Sequence, residues 1–186
     1  MSELASKNQL RLSFTRWALV SVPLIIFLGA LSGLLSNSGQ ANHWYAQLNK
    51  PDVMPPGWAF GVIWTTLYAL MGLSVAMVLD ARGAAGRPVA LTLFGLQLCA
   101  NLAWSPVFFA LHQAHFAVLL LVIILVLALA TTLLFGQIRT VSAWLMVPYL
   151  AWLCIAASLA YQTDQLNPNA AQLGTIAGTA HIGGGN

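Results

Sequence analysis

The sequence VLLLVIILVLALATTLL, residues 118–134, has Thr131 and Thr132 as its only polar members. A helix that is apolar on every face has no surface to present to water, so this segment belongs in hydrocarbon. A helix rises about 1.5 Å per residue and needs about 20 apolar residues to cross a bilayer core. The uncharged run Phe116–Phe135 has that length. It predicts a transmembrane helix.

Further uncharged runs occupy most of the chain. Only 6% of the residues are charged, against about 25% in a typical soluble domain. A soluble all-helical protein would need a polar face on most of its helices, and these runs do not supply one. We therefore predict an all-α membrane protein, a bundle of five transmembrane helices. The predicted spans are Trp17–Leu35, Trp58–Leu79, Val89–Leu111, Phe116–Phe135 and Ala143–Thr163.

Lysine and arginine mark one side of this bundle. The positive-inside rule therefore predicts a cytoplasmic N-terminus and a C-terminus outside. The pI of 9.2 reflects these few cations, and no nucleic-acid partner is expected. We divide the chain into a cytoplasmic tail (1–16), a five-helix transmembrane domain (17–163) and a flexible C-terminal tail (164–186). The N-terminal tail and the second and fourth loops hold Lys7, Arg11, Arg16, Arg82, Arg87 and Arg139, whereas the other side holds Lys50.

The long loop between the first and second helices, residues 36–57, is rich in aromatic residues and proline. Proline fixes φ and removes a hydrogen-bond donor, so we expect an extended path rather than a helix. We predict that this loop folds onto the bundle as a lid, although an interfacial aromatic belt would also explain Trp44, Tyr45 and Trp58. The cation of Lys50 could meet an anionic ligand group or serve at the interface. The predicted lid residues are Trp44, Tyr45, Lys50, Pro51, Pro55 and Pro56.

Aromatic and amide side chains also occur deep inside the predicted spans. Trp64 and Tyr68 are four residues apart and share one face of the second helix. Gln97 and Asn101 have the same spacing on the third, and an amide in hydrocarbon needs a partner on another helix or on a ligand. With Trp152 on the fifth helix, these residues indicate either core packing or a pocket for a large flat aromatic ligand.

The end of the third helix carries a proline and is followed by two histidines. Pro106 should kink the helix and free a carbonyl one turn earlier, around Leu102. His112 and His115 have a spacing that a metal could use on a helix, but two ligands without a third make a poor site. We predict no metal site there.

In four ordered motifs the chain resembles the TspO/MBR family, the tryptophan-rich sensory proteins related to the mitochondrial translocator protein or peripheral-type benzodiazepine receptor. The resemblance extends from about Trp17 to Asn167. It implies a five-helix bundle, often dimeric, that binds porphyrins in a pocket closed by the first loop. The motifs are Trp44-Tyr45…Leu48-x-Lys50-Pro51…Pro55-Pro56-x-Trp58, Trp64-x-x-Leu67-Tyr68, Asn101-x-x-Trp104-x-Pro106-x-Phe108-Phe109 and Val147-Pro148-Tyr149-Leu150-x-Trp152.

The resemblance also implies a set of ligand-binding residues. Some family members bind cholesterol, but this chain has Ala160 where an Asn is common, and no Lys or Arg follows Tyr161 within Gln162–Leu166. Cholesterol is therefore not expected, and a bacterial tetrapyrrole in a bacterial cell membrane is preferred. The implied ligand-binding residues are Trp58 and Phe60 at the lid end, with Trp64, Tyr68, Asn101, Trp104 and Trp152 deeper in the bundle.

The implied function is binding of protoporphyrin IX or a haem-like tetrapyrrole, with no required cofactor, in a sensor, regulator or transport-related protein of tetrapyrrole metabolism and stress response. The alternative is light-dependent oxidative degradation of the porphyrin, with Trp64 and Trp152 as electron donors. An ion-coupled transporter is disfavoured because the spans hold no charged residue. A homodimer is expected, and Gly29-x-x-x-Gly33 could serve it or packing within the bundle.

Overall fold

The computed structural model describes residues 7–172, in which five long helices each have the length and apolarity to cross a membrane. A sixth, short helix lies in the loop after the first. No strand occurs in these residues. The predicted all-α bundle of five membrane-spanning helices is thereby confirmed. The helices are α1 (Lys7–Leu35), α2 (His43–Gln47), α3 (Gly57–Asp80), α4 (Arg87–Ser105), α5 (Ala114–Ile138) and α6 (Thr140–Leu166).

The first and last helices are longer than the hydropathy pattern predicts. Helix α1 begins at Lys7 rather than Trp17, because charged residues mark where hydrocarbon ends and not where helical hydrogen bonding ends. Helix α6 runs to Leu166, so the predicted C-terminal tail begins within it. Residues 167–172 form a turn and a short helical segment against the loop. The glycine-rich remainder of that predicted tail lies outside the described residues.

The loop between α1 and α3 contains a helix where an extended path was expected. Asn42 caps the N-terminus of α2, and its side-chain oxygen accepts a hydrogen bond from the backbone N–H of Tyr45 at 3.0 Å. This N-cap satisfies a donor that would otherwise lack a partner. The extended conformation appears later, at Pro56, with φ −62° and ψ 148°. Proline therefore shapes the second half of the loop and not the first.

Pro106 interrupts α4, as predicted, and the carbonyl it frees has a partner. A π-helical turn covers Pro106–Ala110. The hydroxyl of Ser32 on α1 donates to the carbonyl oxygen of Leu102 at 2.6 Å. Because Leu102 lies four residues before the proline, its carbonyl cannot accept the usual helical bond. The side-chain donor from α1 replaces that bond and fixes α1 against α4.

The long helices form a ring in the order α1, α3, α6, α5, α4, and α4 returns to contact α1. Small residues bring α1 and α3 close together, since a Cβ on Gly72 would lie 2.6 Å from the Cα of Val22. Ser74 of α3 and Ser142 of α6 each donate to the other's carbonyl oxygen at 2.9 Å. Small residues and side-chain hydrogen bonds are what hold helices together where the solvent is itself apolar.

Candidate functional site

A cavity of about 590 Å³ lies inside the ring at the end that carries the α1–α3 loop. Successive spans alternate in direction, so the C-terminal halves of α1, α4 and α6 meet the N-terminal half of α3 there. These segments supply the lining. The cavity therefore occupies one half of the bundle, and α2 lies above it.

All but one of the predicted ligand-binding residues line this cavity. The rings of Trp64 and Tyr68 are 5.3 Å apart, and those of Trp64 and Trp152 are 6.5 Å apart at an angle of 89°. Aromatic groups from different helices thus form a continuous wall. The predicted residues found in the lining are Phe60, Trp64, Tyr68, Asn101, Trp104 and Trp152.

Trp58 is the exception among the predicted pocket residues. Its side chain is 73% exposed and does not line the cavity. It precedes Trp64 by six residues, so at about 100° per residue it projects from a different side of α3. Its position on the first turn of α3 matches the interfacial aromatic role that was considered as an alternative.

The amides of α4 have partners on other helices. The Tyr68 hydroxyl donates to Asn101 Oδ1 at 3.0 Å, Asn101 Nδ2 donates to the Tyr149 hydroxyl at 3.1 Å, and the Tyr149 hydroxyl donates to Gln97 Oε1 at 3.0 Å. We call this chain of four residues the relay. It connects α3, α4 and α6. Tyr68 and Asn101 face the cavity, whereas Gln97 and Tyr149 are fully buried behind it.

Two buried N–H groups lack a hydrogen-bond partner within the described residues. They are Nε2 of Gln97 and the indole Nε1 of Trp152. Trp152 itself lines the cavity, whereas its N–H is buried. By contrast, Nε1 of Trp104 donates to the Ala117 carbonyl at 3.1 Å. An unpaired buried donor is unfavourable, and a ligand that brings an acceptor would relieve that cost.

Helix α2 covers the end of the cavity with aromatic side chains. The Trp44 ring lies 5.3 Å from Phe108, and the Tyr45 ring lies 5.2 Å from Phe109. Tyr45 also lines the cavity. Burial raises the pKa of its hydroxyl, so this group stays neutral at physiological pH. Nδ2 of Asn42 donates to the Phe109 carbonyl at 3.1 Å and ties the start of α2 to α4.

Lys50 acts on α2 rather than in the cavity. Its ammonium donates to the carbonyl oxygens of Tyr45 and Leu48 at 2.8 and 3.2 Å, and it lies 4.5 Å from the centre of the Tyr45 ring. A cation at the C-terminal end of a helix satisfies carbonyls that lack intrahelical partners. The loop prolines Pro51, Pro55 and Pro56 are likewise absent from the lining.

The segment after α6 fastens the loop from the other side. The Trp44 indole donates to the Ala170 carbonyl at 2.8 Å. Asn167 accepts from the Asn49 backbone N–H at 2.9 Å and donates to the Asn49 carbonyl at 2.8 Å and the Thr163 carbonyl at 2.7 Å. We call Asn167 and Ala170 the latch. The composition of the segment after α6 did not predict these contacts with the loop.

The two histidines after α4 have separate partners. The ring of His112 packs 4.7 Å from Trp44, and burial lowers the pKa of His112. Nδ1 of His115 lies 3.1 Å from the carboxylate of Asp164. Among the described residues, no three His, Cys, Asp or Glu side chains gather where they could hold a metal ion.

Small residues of the lining were not predicted. Ala156 and Ala160 follow Trp152 at four and eight residues on α6, so the helical period could have found them. Gly29 of α1 also lines the cavity, and the Tyr68 ring stands where a Cβ of residue 29 would be. The Gly29-x-x-x-Gly33 motif is therefore used within the bundle.

This arrangement defines a class: an α-helical multi-pass membrane protein with an aromatic cavity beneath a loop. The TspO/MBR family model matches residues 20–166, and the chain belongs to that family. The resemblance drawn from the motifs is thereby confirmed.

Curated relatives agree with this assignment. The chain is 40% identical over 137 residues to the translocator protein of Sus scrofa, covering 71% of this chain and 81% of that protein. It is 34% identical over 155 residues to the tryptophan-rich sensory protein of Cereibacter sphaeroides, covering 82% and 94%. Its identity to protein CrtK of Rhodobacter capsulatus is 36% over 126 residues, covering 67% and 79%.

Proposed function

We propose that this protein binds porphyrins and related tetrapyrroles, such as protoporphyrin IX, inside the cavity. The observation that carries the proposal is a cavity of about 590 Å³ walled by the rings of Trp64, Tyr68, Trp104 and Trp152. Pockets for small molecules and cofactors range from about 300 to 1,000 Å³. Flat aromatic macrocycles gain most from offset stacking and edge contacts with such rings.

Polar groups at the cavity surface complement this aromatic wall. The Trp152 N–H is buried at the cavity wall, lacks a partner among the described residues and would donate to a ligand acceptor that reaches it. We assign the role of the lid to α2, because Tyr45 lines the cavity and also packs on Phe109. Entry and release of a ligand then require α2 to move. Slow exchange is the expected consequence.

The cellular role we propose is that of a sensor, regulator or transport-related protein in tetrapyrrole metabolism and stress response. Relatives carry the names sensory protein and translocator protein, which support sensing or transport. We place the protein in a bacterial cell membrane with its N-terminus in the cytoplasm, so that the cavity lies in the outer half of the bilayer. A homodimer belongs to the same proposal, through a surface other than the Gly29 face.

A second candidate is light-dependent oxidative degradation of the bound porphyrin. Trp64 and Trp152 both line the cavity with ring centres 6.5 Å apart. The photoexcited porphyrin would take an electron from one indole, and dissolved dioxygen would serve as the oxidant. The chemistry would come from the ligand, since the part of the cavity lining that the structure describes contains no charged side chain that could act as an acid or base.

Filling the cavity tests the binding proposal. Ala156 lines the cavity, whereas Ala151 lies exposed on the same helix. Protoporphyrin IX is titrated in the dark into detergent-solubilised protein, and the shift of its main visible absorption band is followed. Ala156→Phe should abolish the saturable shift, and Ala151→Phe should retain it. Equal binding by the two variants would refute the site.

The same sample separates the second candidate from the first. Illumination with dioxygen present should bleach the bound porphyrin if the protein degrades it. Replacing both Trp64 and Trp152 by Phe should then slow the bleaching relative to wild type at equal occupancy. Bleaching that proceeds at the same rate in protein-free micelles would leave binding as the function.

A further inference from the structure

The relay that begins at the cavity surface ends at a residue that never reaches it. Gln97 is fully buried, and so is Tyr149. Three hydrogen bonds of 3.0 to 3.1 Å separate Gln97 from Tyr68. Gln97 Nε2 has no partner among the described residues, so the relay of hydrogen bonds ends at Gln97. Burying an amide group in hydrocarbon costs free energy unless the group is hydrogen-bonded.

The direction of each bond in the relay fixes the next one. The Tyr149 hydroxyl has a single proton, which it donates to Gln97 Oε1. Its oxygen is then free only to accept, and it accepts from Asn101 Nδ2. That holds the Asn101 amide with its carbonyl oxygen towards Tyr68, which donates its own proton to it. The proton of Tyr68 is therefore engaged, and its oxygen can offer only lone pairs to a ligand in the cavity.

The relay has two possible directions, and they differ in the group that residue 97 offers to Tyr149. Reversing every bond would turn the Tyr68 proton into the cavity, and it would leave the carbonyl oxygen of Gln97 unpaired instead of its amino group. Each direction leaves one end of that amide without a partner within the described residues. Within the described residues, the side chains of Tyr149 and Asn101 make no other hydrogen bond that would fix the direction. The group that residue 97 offers to Tyr149 is thus the deciding element.

We propose that Gln97 and Tyr149 are positioning residues that set the hydrogen-bonding polarity of the cavity at Tyr68. With Gln97 as acceptor, the hydroxyl oxygen of Tyr68 accepts from the ligand. The cavity then favours a ligand that brings an N–H or O–H donor to this point, such as a pyrrole or lactam N–H, over one that brings only an acceptor. The inference rests on the proposed function in one respect, that the cavity holds a ligand.

A flat tricyclic pair tests this polarity. Carbazole carries one N–H donor, and acridine carries one ring-nitrogen acceptor; both are used at a pH where acridine is neutral. In Gln97→Met the acceptor is gone, so Tyr149 turns its proton to Asn101 and Tyr68 regains a proton for the cavity. The ratio of the carbazole to the acridine dissociation constant should rise about fivefold, the effect of one net hydrogen bond. The unpaired Trp152 N–H contributes equally to both proteins and cancels.

Two further variants separate positioning from loss of structure. Gln97→Glu places a carboxyl group there that burial keeps neutral; its carbonyl oxygen can still accept from Tyr149, so the ratio should move back towards the wild-type value. Tyr149→Phe cuts the relay, so adding Gln97→Met to it should change the ratio no further. A general loosening of the bundle would weaken both probes alike and would not be rescued by Glu. An unchanged ratio in Gln97→Met, with both probes bound, overturns the proposal.

A ligand-free measurement keeps the relay testable if neither probe binds. Tyrosine labelled with ¹³C at Cζ reports on hydrogen bonding of its hydroxyl by NMR, and the Tyr68 signal is assigned with Tyr68→Phe. Gln97→Met should shift this signal although three hydrogen bonds intervene, and Gln97→Glu should return it. If the signal does not move, the relay fails. If it moves but wild type binds neither probe, the relay stands and the proposed binding cavity fails.

Discussion

The absence of a Cβ atom at Gly29 determines the shape of the cavity. The Tyr68 ring occupies the space that a Cβ at residue 29 would take. Tyr68 in turn donates to Asn101 and packs 5.3 Å from Trp64. A glycine on α1 thus permits the position of a ring on α3 and, through it, the aromatic wall. The small side chain is required for the site and not only for helix packing.

Gly29→Ala should destabilise the bundle because the ring must move away from its hydrogen bond. Overpacking of this kind costs about 1 to 3 kcal/mol. Gly95→Ala is the matched control, since a Cβ there meets nothing within 4 Å and alanine favours the helix by up to about 1 kcal/mol. Thermal unfolding in detergent should lower the Tm of the first variant and leave or raise that of the second. Equal Tm values would contradict this account of Gly29.

At the scale of the element, the latch joins the two chain segments that close the cavity. Asn167 bonds both backbone groups of Asn49 and the carbonyl of Thr163. Thr163 itself lines the cavity. The end of α6 and the loop that carries α2 are therefore held as one unit. Opening of α2 must break these bonds.

Asn167→Ala should accelerate release of bound porphyrin about thirtyfold, because losing its two hydrogen bonds to Asn49, of about 1 kcal/mol each, lowers the barrier to opening. Asn169→Ala is the control, since Asn169 is exposed nearby. Stopped-flow displacement by excess apomyoglobin, which captures free porphyrin, gives the rate. Identical rates in the two variants would mean that ligand release does not pass through the latch.

The spans could be predicted from the sequence because exclusion from water depends on local composition, as in residues 118–134. The carbonyl freed by Pro106 could also be predicted, because a proline affects a residue only four positions earlier. Its partner Ser32 could not be predicted, because that contact joins α1 to α4. The predicted residues that line the cavity, such as Phe60 and Trp152, were identified as ligand-binding from the family resemblance. Trp58 shows its limit, because a motif records residue type and spacing but not the direction of a side chain.

At the scale of the whole molecule, the ring of helices places the cavity, the lid and the latch at one end. The other end carries Arg82, Arg87 and Arg139 in its loops. Nε and a terminal nitrogen of Arg87 donate to the carbonyls of Val78 and Leu79 at 2.9 Å and cap α3. The two ends therefore differ in charge as well as in structure. That difference is what orients a protein in a membrane.

The orientation can be measured with reporters fused to the C-terminus. We expect an alkaline phosphatase fusion, which is active only outside the cytoplasm, to be active in a bacterial host. A green fluorescent protein fusion, which fails to mature after export in unfolded form, should be dark. The physical reason is the concentration of Lys and Arg on the N-terminal side. The opposite pattern would place the cavity in the cytoplasmic half.

The measurement that tests the central claim most directly is a dark titration with protoporphyrin IX, followed by quenching of tryptophan fluorescence. Wild type is compared with Trp64→Phe, Trp152→Phe and the control Trp144→Phe. Trp144 is the control because its side chain is 69% exposed and lies outside the cavity. We predict saturable quenching that Trp64→Phe and Trp152→Phe weaken and Trp144→Phe preserves. Linear quenching that is identical in all four proteins would show partition into micelles and contradict the account.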